Sequence, residues 1–365
     1  MCSLGKILIS GYYGFSNAGD EAMLTAIITA LRKKDPSVEI TVISGHPEAT
    51  SKLHQVKAVH RFAPLGILKA MLHTDLLLSG GGSLLQNVTS HISLLYYLSI
   101  IALARLLGRR VMLFAQGIGP IRGGVCRLLT RLICSRADLI TVRDDGSLED
   151  LNAMGIPASR VLVTSDAVFS LPPGRKEEGK RLLAKLGVDL NRPVVGFALR
   201  HWKGEARFSR EFAGAADALK WEFGAQILFI PLQFPADAEL SQAVAAAMEN
   251  QQDVYMLDQK CSTQEYQDLI SGLHLLIGMR LHALVFAAIN DVPLMAVSYD
   301  PKVDRFVAGM KGNVVNTIDK ITAGEILSMA RELWQQDGRQ GREQIQALRQ
   351  EAEKNIERAV ELSRQ

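Results

Sequence analysis

The sequence predicts two doubly wound α/β domains facing one another, and three observations carry that expectation. Short apolar runs alternate with helical patterns along most of the chain. Most of those runs end in glycine or in a polar side chain, as strands do when they deliver residues to one edge of a parallel sheet. A proline- and glycine-rich break, Leu171-Pro172-Pro173-Gly174, then divides the series in two. At 365 residues the chain also exceeds one ordinary core. The expected layout is an N-terminal domain over residues 1–172, a C-terminal domain over 173–335 and a closing helix over 336–365, rich in Glu, Arg, Gln and Ala.

Composition narrows the function. Hydrophobic residues make up 48% and charged residues 22%, which suits a globular protein. The 41 basic and 38 acidic residues nearly cancel, so no nucleic-acid partner is expected. Cys2, Cys126, Cys134 and Cys261 show no CxxC spacing. They read as reduced thiols of a cytoplasmic protein, with neither a zinc site nor a redox pair. The first ten residues hold a four-residue apolar run, too short for a signal peptide.

In the first domain, Lys6 to Ser10 reads as a strand, followed by a glycine loop and a helix from Glu21 to Lys34. Gly14 and Gly19 have the spacing of a phosphate-binding loop, but Asp20-Glu21 stands where its lysine and hydroxyl belong. Two carboxylates there would repel a triphosphate. The second strand, Val38 to Ser44, offers no acid for a ribose either. Asn17, Asp20 and Glu21 suit sugar hydroxyls, or else simply cap the helix.

Strands at Leu76–Ser79, Val111–Ala115, Leu139–Val142 and Val161–Thr164 follow, ending in Gly80-Gly81-Gly82, Gln116-Gly117, Arg143-Asp144 and Ser165-Asp166. Three consecutive glycines suggest a backbone approached closely by a ligand or another segment. Arg143 either pairs with Asp144 or Asp145 or meets a ligand. The 13-residue apolar run from Ile92 to Ala104 is too short to span a bilayer. It reads as a buried helix; Arg105, Arg109 and Arg110 after it keep a membrane-surface helix as the alternative.

The second domain repeats the pattern, with strands ending at Arg200-His201, Gln233, Arg280-Leu281-His282 and Tyr299-Asp300-Pro301-Lys302. Arg280 and His282 fall on a strand-to-helix turn, where helix amides and the positive end of a dipole can face an anion. Cations from both domains, principally Arg143, Arg280, His282 and Lys302, would then line one cleft and call for an anion with more than one charge. No HExxH, GxSxG or Cys/His arrangement is present.

The stretches GYYGFSNAGDEAM, GGGSLLQ, AQGIGP, TVRD, SDAVF and GMRLHALVFAAINDVPLMAVSYDPK occur in that order. Together they resemble the polysaccharide pyruvyl transferase family, most closely its CsaB-type members. The resemblance implies a fold similar to the GT-B glycosyltransferases, without metal or cofactor. It implies transfer of the enolpyruvyl unit of phosphoenolpyruvate, a co-substrate, onto two hydroxyls of a sugar, giving a 4,6-pyruvate ketal and phosphate. The implied acceptor is a lipid-linked saccharide carrying N-acetylmannosamine, a precursor of the secondary cell-wall polysaccharide that anchors S-layer proteins. Peripheral contact with the inner face of the membrane would follow. Carried onto this chain, the phosphoenolpyruvate contacts are Arg143, Arg280, Leu281, His282 and Lys302, and the acceptor contacts are Asn17, Asp20 and Gln116.

The chemistry agrees with the residue types. A carboxylate and a phosphate call for arginine and lysine. Ketal formation needs a proton on the methylene carbon, which an imidazole can move. His282 is therefore the expected general acid/base, with Arg143 stabilising the departing phosphate. The alternative is a GT-B glycosyltransferase using a nucleotide sugar.

Overall fold

The computed structural model describes residues 5–88, 90–309, 314–336 and 341–365. The chain divides into two compact units. The first runs to Phe15, resumes over Asp20–Leu171 and takes in Ala347–Gln365; the second takes Ser16–Gly19 and Pro172–Gln346.

The first unit follows the order β1 (Ile7–Ser10), α1 (Ala18–Lys34), β2 (Ile40–Ser44), α2 (Pro47–His54), β3 (Lys57–His60) and α3 (Pro64–Leu72). It continues with β4 (Leu76–Gly80), α4 (His91–Leu106), β5 (Arg110–Gln116), α5 (Gly124–Cys134), β6 (Leu139–Val142), α6 (Asp145–Ala153) and β7 (Val161–Val163). The strands form a parallel sheet ordered β3-β2-β1-β4-β5-β6-β7. β1 and β4 are apolar and buried along their whole length, as strands covered by helices on both faces must be.

In the second unit come α7 (Lys176–Lys185), β8 (Val194–Ala198), α8 (Glu205–Phe223), β9 (Gln226–Phe229), α9 (Ala236–Ala246), β10 (Val254–Met256) and α10 (Thr263–Ser271). Then follow β11 (Leu275–Gly278), α11 (Leu281–Ile289), β12 (Leu294–Ser298), α12 (Pro301–Gly309), β13 (Val314–Thr317), α13 (Ala323–Trp334) and α14 (Arg342–Arg364). Its parallel sheet is ordered β10-β9-β8-β11-β12-β13. Both sheets therefore reverse direction beside their first strand, at β1/β4 and β8/β11. Such reversals open a crevice at the carboxyl ends of the strands.

The doubly wound expectation holds for both units, and the differences lie at the edges. β3 is an edge strand of half-exposed residues, so it lacks the apolar run that marks a buried strand. Pro47 and Pro64 open α2 and α3, because the first helical position needs no amide hydrogen. α4 buries Leu94, Leu98 and Ile101, and Ser90 caps it by accepting from the Ser93 amide at 3.3 Å. Among the described residues no helix is long and apolar enough to cross a membrane. The last turns of α14 pack on the first unit through Ala352, Ile356, Ala359 and Val360, a helical stripe. Arg110 Nη1 also donates to the Leu362 carbonyl at 2.9 Å. Cys126, Cys134 and Cys261 are free thiols, and Cys2 lies outside the described residues.

Candidate functional site

In the second unit, the turn between β11 and α11 is tied to the neighbouring switch strand. The amides of Met279 and Arg280 donate to the Ala198 carbonyl at 2.9 and 3.3 Å. Arg280 is then the N-cap residue of α11, with Leu281 and His282 in its first turn. First-turn amides have no intrahelical acceptor, so this end of the helix offers donors as well as a dipole.

The guanidinium of Arg280 is almost wholly buried and held by a carboxylate. Its Nε donates to Asp237 Oδ2 at 2.8 Å, its Nη2 donates to Asp237 Oδ1, and Nη2 also reaches Gln233 Oε1 at 3.0 Å. Asp237 is itself fully buried, and its Oδ2 accepts the amides of Leu232 and Gln233 at 3.1 and 2.9 Å. One carboxylate thus closes the loop after β9 and fixes the arginine in a two-point geometry. Nη1 makes no hydrogen bond among the described residues.

The segment Ser16–Gly19, which the sequence assigns to the first domain, groups with this turn. Asn17 forms a β-bridge with Gln233, and the Ala18 amide donates to the Leu232 carbonyl at 2.8 Å. Asn17 Oδ1 accepts the Gly19 amide at 3.0 Å, a helix cap at the start of α1. Gly19 lies against the half-buried His282: a Cβ there would sit 2.2 Å from Nδ1. The structure therefore brings Asn17, Arg280 and His282 together. At the same sheet edge, Arg200 donates from Nη1 to the Tyr299 hydroxyl at 2.9 Å and lies over its ring. Lys302 starts α12, and its side chain lies outside the described residues.

The corresponding edge of the first unit is built differently. Arg143 follows β6 and is nearly buried; its Nη1 donates to Asp166 Oδ2 at 3.1 Å and its Nη2 to Ser83 Oγ at 3.0 Å. Asp144 Oδ2 lies 3.7 Å from Nε while Asp144 Oδ1 caps α6. The ion pair foreseen with Asp144 or Asp145 is thus made mainly with Asp166, and in a buried setting. Gly117 lets the guanidinium lie flat on the backbone, since a Cβ would meet Ser83 Oγ at 2.8 Å and Arg143 at 3.0 Å.

The three-glycine run is approached by the protein itself. The Tyr13 hydroxyl donates to the Gly80 carbonyl at 2.6 Å, and burial pushes its ionisation well above the ordinary tyrosine value, with Asp20 and Glu21 adding to the rise. Gly81 and Gly82 have φ of 78° and 93°, which side chains avoid. Gln116 is fully buried and donates from Nε2 to the Gly82 carbonyl at 2.9 Å, so it holds this loop from inside. Asp20 is half-buried beside Gly82, whereas Glu21 accepts the Gly14 amide at 2.8 Å and pairs with His54 at 2.9 Å.

One premise of the sequence reading is corrected here. Arg143 and Arg280 are not an uncompensated cation cluster, because Asp166 and Asp237 neutralise them. Asp237, Ser83 and His54 gave no signal of their own in the sequence; Asp237 and His54 lie inside helices, where a polar residue reads as surface.

A sequence model of polysaccharide pyruvyl transferase matches residues 17–301. The amylovoran biosynthesis protein AmsJ of Erwinia amylovora is 22% identical over 353 residues, covering 81% of this chain and 84% of that protein. Among solved structures, UDP-GlcNAc 2-epimerase from Methanocaldococcus jannaschii superposes with a TM-score of 0.68 at 11% identity, covering 98% of this chain and 99% of that one. The enzyme from Neisseria meningitidis bound to UDP-GlcNAc gives 0.66 at 12%, covering 98% and 100%. At such identities these structures speak for the fold alone, two Rossmann-like domains of the GT-B type. With the matched span running from Asn17 through the Arg280 turn, the chain belongs to the polysaccharide pyruvyl transferase family.

Proposed function

We propose that this transferase moves the enolpyruvyl group of phosphoenolpyruvate onto two hydroxyls of a lipid-linked saccharide, N-acetylmannosamine being the sugar modified. The product is a 4,6-pyruvate ketal that enters a secondary cell-wall polysaccharide. Family membership supports pyruvyl transfer to a polysaccharide; the donor, the acceptor and the ketal are this reading's additions.

The observation that carries it is the Arg280–His282 turn, a guanidinium fixed by Asp237 and an imidazole in the first turn of α11. Arg280 Nη1, the Leu281 amide and Lys302 bind the anionic donor. His282 moves the proton. One sugar hydroxyl attacks the carbon bearing the phosphate while the methylene carbon gains a proton and becomes a methyl group. The second hydroxyl then attacks the same carbon, its proton leaves with the phosphate, and the ketal closes. Arg143 is assigned to stabilising the departing phosphate, and Asp20 to a sugar hydroxyl.

Incubation with phosphoenolpyruvate and a synthetic acceptor bearing N-acetylmannosamine tests the reading. Release of phosphate, with the mass of a ketal added to the acceptor, is expected. Release of a nucleoside diphosphate from a nucleotide sugar, with phosphoenolpyruvate inert, would overturn it in favour of a glycosyltransferase.

A further inference from the structure

α5 is apolar on both sides: Cys126, Leu129 and Ile133 pack on the core, and further apolar residues face outward. Its buried residues are Thr130 and Cys134, while Val125, Leu128 and Leu132 are 72%, 51% and 46% exposed. These three lie at i, i+3 and i+7, one continuous stripe of the helix. The buried threonine is accommodated because its hydroxyl donates to the Cys126 carbonyl of its own helix at 2.9 Å.

The same feature recurs on two neighbours. α3 exposes Leu65 at 80%, and α4 exposes Ile92 at 79% with Leu95 one turn on. All three helices pack on one core cluster, through Ile67, Leu98 and Cys134 among others, so they cover one face of the sheet. The three helices are also tied together. The Phe62 ring before α3 meets Tyr96 of α4 at 6.4 Å, and Asn87 before α4 bonds the backbone of Arg122 before α5 at 2.7 Å. Single exposed leucines are ordinary; adjoining stripes on three helices are not.

The charge of this region identifies what would cover it. Residues 49–137 hold eleven lysines and arginines against one acid, Asp75, although the whole chain is only +3; of these, Lys57 pairs with Glu39 at 2.9 Å and Arg105 with Asp138. Arg122, Arg127, Arg131 and Arg136 are all exposed and border the α5 stripe. A second copy of the chain docking symmetrically would set arginines against arginines, so self-association through this face is disfavoured. An apolar stripe flanked by cations and free of acids fits an anionic phospholipid surface: the leucines enter the acyl boundary and the arginines meet the headgroups.

We infer that the outer face of α3, α4 and α5 is a membrane-docking surface for anionic phospholipid. The inference rests on this surface and not on the donor chemistry proposed above, so either can fail alone. The test is co-sedimentation of the full chain with vesicles of equal parts phosphatidylglycerol and phosphatidylcholine, against vesicles of phosphatidylcholine. Binding to the anionic vesicles only is expected, weakening as salt is raised. Leu128→Ser with Ile92→Ser should abolish it. Arg122→Glu with Arg131→Glu should weaken it by at least about fivefold per removed charge. The substituted side chains are exposed, so unchanged thermal unfolding confirms that each variant is folded. Equal binding to both vesicle types, no binding to either, or a dimer in sedimentation that Leu128→Ser dissociates would overturn the inference.

Discussion

Arg280 and Arg143 both follow a parallel strand and both are paired with a carboxylate, but they stand at different places in otherwise similar sheets. Arg280 follows β11, the strand at the reversal of its sheet, and its acid Asp237 is fully buried. Arg143 follows β6, two strands from the reversal, which in the first unit ends in bare glycines. Its guanidinium is shared among Asp166, Ser83 and Asp144. The second unit therefore presents a fixed cation and an imidazole at its crevice, while the first presents close-packed backbone with the cation to one side. Donor chemistry is accordingly assigned to the second unit, and Arg143 is given a supporting part.

The sharpest test of that asymmetry is His282→Ala. The position two residues after Arg280 carries an imidazole, whereas the one after Arg143 carries Asp145. Turnover should fall by about a hundred- to ten-thousand-fold while phosphoenolpyruvate affinity stays near that of the parent. Phosphate-release kinetics and equilibrium binding read the two separately. Loss of affinity with turnover intact would make His282 a contact rather than a proton carrier.

Stability should show the same contrast. Asp237→Ala leaves Arg280 buried without its charge partner and frees the amides of Leu232 and Gln233, a loss of about 3–5 kcal/mol. Asp166→Ala should cost less, about 1–3 kcal/mol, because Arg143 keeps Ser83 and Asp144. Far-UV circular dichroism during urea unfolding reads both units, and the emission of Trp202, Trp221 and Trp334, all in the second unit, follows that unit separately. Equal losses would dissolve the distinction between the two arginines.

What the sequence made legible, and what it hid, follows from physics. Buried parallel strands write themselves as apolar runs, so β1, β4, β6 and β11 could be read, and with them the polar residues at their ends. Arg143, Arg280 and His282 were visible for that reason. The partner of Arg280 was not. Asp237 is separated from Arg280 by 43 residues and lies in a helix, where an acid reads as a solvated face. The place of Ser16–Gly19 was equally hidden, because a β-bridge to Gln233 leaves no periodic mark. The outward leucines of α5 were hidden for another reason: a helix with apolar residues on both sides, Leu129 and Ile133 inward and Leu128 and Leu132 outward, reads as an ordinary buried one.

Arg143→Ala examines the supporting part directly. Removing a charge-assisted contact should raise the phosphoenolpyruvate requirement by an amount corresponding to about 1.5–3 kcal/mol. An unchanged requirement in initial-rate measurements would return Arg143 to a structural pair with Asp166.

The smallest expected effects separate the two glycines that seat these groups. Gly19 has no positive φ, so alanine is tolerated by the backbone, but its Cβ would stand 2.2 Å from His282 Nδ1 and the ring must turn aside. Gly19→Ala should therefore lower turnover several-fold, with an overpacking cost of about 1–3 kcal/mol in unfolding. Gly117→Ala asks less, because Ser83 Oγ at 2.8 Å can rotate away and the Arg143 guanidinium at 3.0 Å needs to move only a few tenths of an ångström. It should raise the phosphoenolpyruvate requirement slightly and leave maximal turnover as it was. In Gly19→Ala, by contrast, maximal turnover should fall, since the imidazole has been moved. If both variants lower maximal turnover alike, the proton is not carried by His282 alone, and the first unit has a larger share in the chemistry than its geometry suggests.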